Sequence, residues 1–237
     1  LSRRDLQDRD RRQDAAVRAN GRSRDTAPHY GGAGIRLWDE RHFFSIGVCS
    51  TAFAVTRGEV AHMLTVAHCF PSRTDYPRAW ASSYTSETSP GTACYHGAMV
   101  TTTMGGTATA VTDGTQDQYG DFALLQGGGG YSARVSNCAK NADPCSSLAV
   151  GRPTTAPNGT PLCTSGVMSG QICRQYVTDG SYAGWLGDGS GSWSVLVDHW
   201  AVTNSDQNGD GTYDCVGPVQ GDSGGAVYRS MADGTRA

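Results

Sequence analysis

An all-β soluble fold is the first expectation from this sequence, and three observations carry it. Of the 237 residues, 32 are glycine and only 38% are hydrophobic, a composition of short strands joined by many turns rather than of a helical bundle. Short β-prone runs recur along the chain, punctuated by Gly, Asn, Asp and Pro clusters. The 8 cysteines include no C-x-x-C pair, which favours disulfides over a zinc ribbon or a thioredoxin-like redox site. Bridges persist outside the reducing cytosol, so a secreted, extracellular protein is expected.

Residues 1–27 alternate Arg and Asp, with opposite charges four apart at Arg4 and Asp8, Asp5 and Arg9, and Asp8 and Arg12. Such pairs support an exposed helix by a few tenths of a kcal/mol each. With few apolar residues to bury, this segment is expected to stay outside the core as a charged tail or pro-segment remnant. From Tyr30 the character changes: a Gly-Gly turn precedes Ile35–Leu37, and His42–Val55 is rich in Phe, Val, Ile and Ala. Further strands are expected at Met63–Val66, Ala98–Thr103, Ala108–Val111, Phe122–Leu125, Gly166–Met168 and Ser194–Thr203. The tetraglycine Gly127–Gly130 reads either as the crossing between a first domain, 28–126, and a second, 127–237, or as a loose surface loop.

The formal charge of -3 hides an asymmetry: after residue 25, 11 basic and 17 acidic side chains remain, a net of -6. A mildly acidic body lacks the clustered basic face that nucleic acid demands. Nor does any apolar run of about 18 residues suggest a membrane span. Neither partner is expected, and a monomer is. With Leu1 at its start and no signal peptide, the sequence reads as a processed form or a fragment.

Three short motifs carry the chemistry. In Gly221-Asp222-Ser223-Gly224-Gly225 a serine stands between glycines. A serine hydroxyl needs an adjacent base and backbone N–H groups aimed at the oxyanion formed on attack, and glycines let the chain turn tightly enough to expose those donors. An ordinary Gly-rich turn would carry the same pattern. Leu64-Thr65-Val66-Ala67-His68-Cys69 ends a β-prone run in a histidine followed by a cysteine, fit either for a catalytic base or for a structural His beside a disulfide. A bridge from Cys69, with Cys49 the foremost candidate, would fix the imidazole and add ~3 kcal/mol in the chain-entropy model. In Tyr119-Gly120-Asp121-Phe122-Ala123-Leu124-Leu125 a carboxylate opens an apolar strand, placed to orient a histidine and stabilise its imidazolium or simply to precede a strand. Asp113 and Asp117 compete, but neither leads straight into an apolar run.

In the order His68, Asp121, Ser223 the chain resembles the chymotrypsin-like serine peptidases, specifically the bacterial streptogrisin and α-lytic branch. Gly31-Gly32-Ala33 and Cys163-Thr164-Ser165-Gly166 with Cys173 extend the likeness over residues 30–237. It implies two six-stranded antiparallel Greek-key barrels with the site in the cleft between them, His68 and Asp121 on the first and Ser223 on the second. It also implies an oxyanion hole from the N–H groups of Gly221 and Ser223, with Asp222 bracing the loop, and protein or peptide substrates. Cys163 with Cys173 resembles the branch's disulfide hairpin, Cys138 with Cys145 is a further local candidate, and Cys94 has no assigned partner.

The pattern departs at Val66, where the family usually has alanine, and at Ala226, where animal relatives carry proline. Only 14 residues follow Ser223, so a truncated second barrel is expected, with Cys215 paired beyond the present end and the chain inactive as written if so. Asp206-Gln207-Asn208-Gly209-Asp210-Gly211-Thr212-Tyr213-Asp214 copies the opening of a calcium loop, but Gly217 stands at its twelfth position. Calcium and a solvated Asx-rich turn both fit; no other cofactor and no metal site is expected. His29, His42, His62, His96 and His199 lack metal-ligand spacing, and surface or core packing is the expectation for each. Asp198 and His199, adjacent on a strand, would point to opposite faces. Rival functions are a catalytically silent peptidase homologue that binds proteins and a calcium-dependent adhesion module.

Overall fold

The computed structural model describes residues 21–38, 45–70, 78–82, 95–102, 122–127, 129–154, 156–187, 194–206, 209–211 and 217–230. Among them β1 (His29–Gly31), β2 (Gly34–Trp38), β3 (Ser45–Ser50), β4 (Ala54–Arg57) and β5 (Val60–Thr65) lead into a single 3-10 turn over Ala67–Cys69. Then come β6 (Arg78–Ala81), β7 (Tyr95–Thr102) and β8 (Ala123–Gly127). The second half holds β9 (Tyr131–Ser136), β10 (Ser147–Ala149), β11 (Pro161–Gly166), β12 (Gly170–Gly187), β13 (Ser194–Ser205) and β14 (Ala226–Tyr228). No α-helix occurs among the described residues, as the glycine-rich, punctuated sequence requires.

The first half forms one sheet in the order β3-β2-β6-β7-β8-β5-β4; the second forms β13-β12-β11-β14 and β1-β9-β10. The all-β, largely antiparallel architecture agrees with expectation; among the described residues, seven strands form the first sheet where six are expected, and the strands of the second half fall in two sheets. The first difference arises where the expected run His42–Val55 changes partners. β3 pairs with β2 and β4 with β5. Between them Thr51 N–H donates to Ala33 O at 2.9 Å and Ala52 N–H to Leu64 O at 2.7 Å, so one sequence run serves both ends of the sheet. The second difference is β1, which lies parallel to β9. No hairpin can join a parallel pair, and here the whole first half intervenes.

Of the expected strand Gly166–Met168 only Gly166 is in a ladder, as the last residue of β11; Val167 and Met168 form the turn by which the chain leaves that ladder before re-entering it at β12. Ala108–Val111 lies outside the described residues. Two apolar clusters lie within the halves. Ile35, Leu37, Met63, Phe70, Ala79, Ala123 and Leu125 build the first, with Tyr131 of β9 packed against it. Val135, Leu148, Cys163, Ala226 and Tyr228 build the second, with Phe53 packed against it. Each core is thus completed by an aromatic ring from the other half.

The expectation that residues 1–27 stay outside the core fails for 21–27, since Arg22 is 1% exposed and Asp25 5% exposed. Arg22 is buried because its guanidinium finds acceptors on several elements at once. Nη1 donates to Gly32 O at 2.9 Å and Ser165 Oγ at 2.6 Å. Nη2 donates to Ser136 O at 3.1 Å and Cys138 O at 2.7 Å. Burial lowers its pKa to about 10, opposed by the charges of Tyr228 and Asp222, so the cation survives at neutral pH. Arg22→Ala strands these acceptors, and a loss of ~3 kcal/mol in chemical denaturation is expected. Arg22→Lys is expected to recover less than half of it, because a point charge cannot reproduce the planar fork.

Candidate functional site

Ser223 sits half-buried on a tight loop. The turn closes through Asp222 N–H to Val219 O at 2.9 Å and Gly225 N–H to Asp222 O at 2.8 Å. Its left-handed positions are Gly221 (φ 98) and Gly224 (φ 82), conformations that a Cβ disfavours. The buried Asp222 carboxylate accepts three backbone N–H groups: Met168 at 2.7 Å and Ser169 at 3.1 Å on Oδ1, and Val219 at 3.0 Å on Oδ2. Asp222 is therefore fully engaged in holding the loop to the turn between β11 and β12.

The opposite side of the loop rests on Ser50, the last residue of β3. Its N–H donates to Ser223 O at 2.7 Å and its hydroxyl to Gly221 O at 2.9 Å. That hydroxyl also accepts Val167 N–H at 3.0 Å, while Ser50 O accepts the Thr65 hydroxyl at 2.7 Å. Thr65 ends β5, and three residues later His68 stands half-buried in the 3-10 turn. The Cys49–Cys69 disulfide joins the residue before Ser50 to the residue after His68. The segments bearing His68 and Ser223 thus meet at one junction of β3, β5 and the serine loop. A half-buried serine on a glycine turn, tied through Ser50 to the strand that leads to an imidazole, is the residue set that acyl transfer calls for.

Asp121 lies outside the described residues; Ala123, two positions on, pairs with Thr65. Cys138–Cys145 and Cys163–Cys173 are the other two disulfides among the described residues; Cys94 and Cys215 lie outside them. In the acidic loop, Asp206 Oδ1 accepts Gly209 N–H at 2.7 Å and Oδ2 accepts Gly211 N–H at 3.2 Å, an Asx-type arrangement; residues 207–208 and 212–216 are outside. His62 Nδ1 bonds Val60 O at 3.0 Å, His199 belongs to β13, and His42 is outside the described residues. Ser50, Thr65 and Arg22 carried no sequence signal of their own, although Ser50 follows the cysteine proposed to pair beside His68.

A second polar cluster, which spacing along the chain concealed, gathers Asp25, His29 and His96. His29 Nδ1 lies 2.9 Å and His96 Nε2 3.5 Å from Asp25 Oδ2. The imidazole rings stack with centroids 3.8 Å apart and planes inclined by 26°. Burial raises the Asp25 pKa against the lowering effect of the His29 hydrogen bond.

At Gly224 a Cβ would strike Ser50 O and Thr65 Oγ1 on top of the left-handed φ, whereas at Gly217 it would meet open space. Gly224→Ala is therefore expected to destabilise by ~2–4 kcal/mol, and Gly217→Ala by less than ~0.5 kcal/mol. Paired urea titrations check the contrast.

No family model and no curated protein matches this sequence. Solved structures do. A glutamic acid specific serine protease is 21% identical over 87% of this chain and 81% of its own, with a TM-score of 0.52. A Nocardiopsis protease is 20% identical over 87% of this chain and 79% of its own, with a TM-score of 0.50. With its two halves of antiparallel strands and the serine loop at their junction, the chain has the chymotrypsin-like fold of these proteases.

Proposed function

We infer that the protein is a secreted serine endopeptidase in which Ser223 attacks the peptide carbonyl, His68 takes and returns the proton, and Asp121 orients the imidazole. The observation that carries this reading is the Ser50 junction, which seats the Ser223 loop against the strand end leading to His68. Likeness of fold to serine proteases supports it. The same fold hosts many functions in general, so the weight rests on the loop and not on the architecture.

In the proposed cycle the Ser223 oxygen adds to the carbonyl carbon as His68 accepts the hydroxyl proton. The backbone N–H groups of Gly221 and Ser223 receive the oxyanion, worth ~3–4 kcal/mol per donor in comparable sites. His68 then protonates the leaving amine, and a water deprotonated by His68 cleaves the acyl ester. Asp222 braces the loop rather than relaying the proton, its oxygens accepting the N–H groups of Met168, Ser169 and Val219. The three disulfides among the described residues suit an extracellular enzyme, and a monomer acting on protein or peptide chains is the simplest form.

Labelling with a fluorophosphonate is expected to mark the wild type at one residue and to fail completely in Ser223→Ala. His68→Ala and Asp121→Asn are each expected to lower kcat/KM on a generic peptide substrate by about 10⁴-fold. A folded wild-type chain that neither labels nor cleaves would instead be a silent homologue that binds proteins.

A further inference from the structure

The Asp25, His29 and His96 cluster takes no part in the proposed acyl transfer and has a chemistry of its own. It forms where the N-terminal segment, β7 and β9 meet: His29 opens β1 opposite Tyr131, and the Tyr131 hydroxyl donates to His96 O at 2.7 Å. Both imidazoles are 0% exposed. Among the described residues, these three alone place His or carboxylate donor atoms together in a metal-binding group, all within 4.8 Å of one another. The second observation is an orphan: neither Nδ1 nor Nε2 of His96 has a hydrogen-bond partner. Buried polar atoms in native proteins are almost always hydrogen-bonded, and an imidazole whose two nitrogens both lack a hydrogen bond, one of them facing a carboxylate oxygen at 3.5 Å, leaves room for a further partner.

We propose that Asp25, His29 and His96 bind a divalent transition metal of the zinc class, which clips the N-terminal segment to the sheet of the first half. Zinc takes imidazole nitrogen and carboxylate oxygen at ~2.0–2.1 Å, which sets ligand atoms roughly 3.3 Å apart in a tetrahedron. The two nitrogen-to-carboxylate separations, 2.9 Å and 3.5 Å, bracket that spacing. Because the rings stack, one imidazole must turn about its Cβ–Cγ bond for both lone pairs to converge, and the unbonded His96 is the one free of hydrogen bonds to break. A neutral imidazole keeps one ring nitrogen free to bind a cation, and neither nitrogen of His96 is held by a hydrogen bond. His29 ligates through Nδ1 in the tautomer whose proton sits on Nε2, so the hydrogen bond to Asp25 gives way to the ion without a net change of charge on the ring. With all three donors enclosed, the ion is structural, bracing the same segment that Arg22 anchors.

The full chain, carried without a histidine tag, tests this. At neutral pH, elemental analysis after zinc loading and desalting is expected to give one zinc per chain, and cobalt(II) a visible d–d band. Zinc is expected to raise the thermal midpoint of the chelator-stripped protein by about 5 °C or more. His96→Leu and Asp25→Asn are each expected to abolish stoichiometric binding and the thermal shift, while His62→Gln leaves both intact. Wild-type protein that retains no zinc and shows no shift would overturn the proposal without recourse to any variant, and greater stability in His96→Leu would then mark the imidazole as an unpaired packing residue. Binding that persists in both variants would overturn it equally, by placing the ion elsewhere.

Discussion

Ser50 is the constraint on which the geometry of the serine loop depends. Its amide hydrogen, carbonyl oxygen and hydroxyl are all committed, to Ser223, Thr65, Gly221 and Val167. Each bond contributes only ~0.5–1.5 kcal/mol net, yet each buried group left unmade costs about 1–3 kcal/mol. That asymmetry makes the junction close to all-or-none: the loop either sits on Ser50 or strands several polar groups at once. The Cys49–Cys69 bridge then ties this residue's neighbour to the neighbour of His68. Covalent and hydrogen-bonded restraints converge within one residue of each group proposed to react.

The loop is held from two directions with different chemistry. On its own half, the Asp222 carboxylate gathers three N–H groups, and charge-assisted bonds of this kind are about twice as strong as neutral ones. On the other half only neutral backbone and hydroxyl groups act. The stronger set fixes the loop's internal shape, and the weaker set fixes where that shape sits relative to the strand leading to His68. Gly224 is required at the second contact because the approach of Ser50 and Thr65 leaves no volume for a side chain.

What could be read from the sequence was whatever depends on neighbours along the chain. The Gly-flanked Ser223, the His68-Cys69 pair and the apolar run after Asp121 are local patterns, and the β class follows from composition. The disulfide partners Cys49 and Cys69 were legible because one borders a β run and the other the histidine. What escaped depends on contacts across the fold. Arg22 looked like one more arginine of a solvated tail, and nothing within ten residues reveals its acceptors on Ser136, Cys138 and Ser165. His29 and His96 are 67 positions apart, so no ligand spacing links them. β6 and β9 were overlooked because Arg78–Ala81 and Tyr131–Ser136 lack a long apolar alternation; the ladder partners on both sides of each, not intrinsic propensity, make them strands.

Buried polar contacts settle what apolar burial leaves open. Among the described residues, one apolar cluster of the second half joins Val135, Leu148, Cys163, Ala226 and Tyr228. Apolar burial is non-directional, so such a cluster favours compaction without dictating how the two halves are registered. Directional contacts must set that register. Arg22 supplies them from the N-terminal segment to both the start of the first half and the β9 and β11 strands of the second, and Ser50 supplies them from β3 to the serine loop. The two sets meet through β11, because Ser165 accepts from Arg22 while Gly166, the next residue, packs against the Asp222 carboxylate. The placement of Ser223 is therefore coupled mechanically, through Ser165 and Gly166, to the burial of the Arg22 side chain roughly two hundred residues earlier.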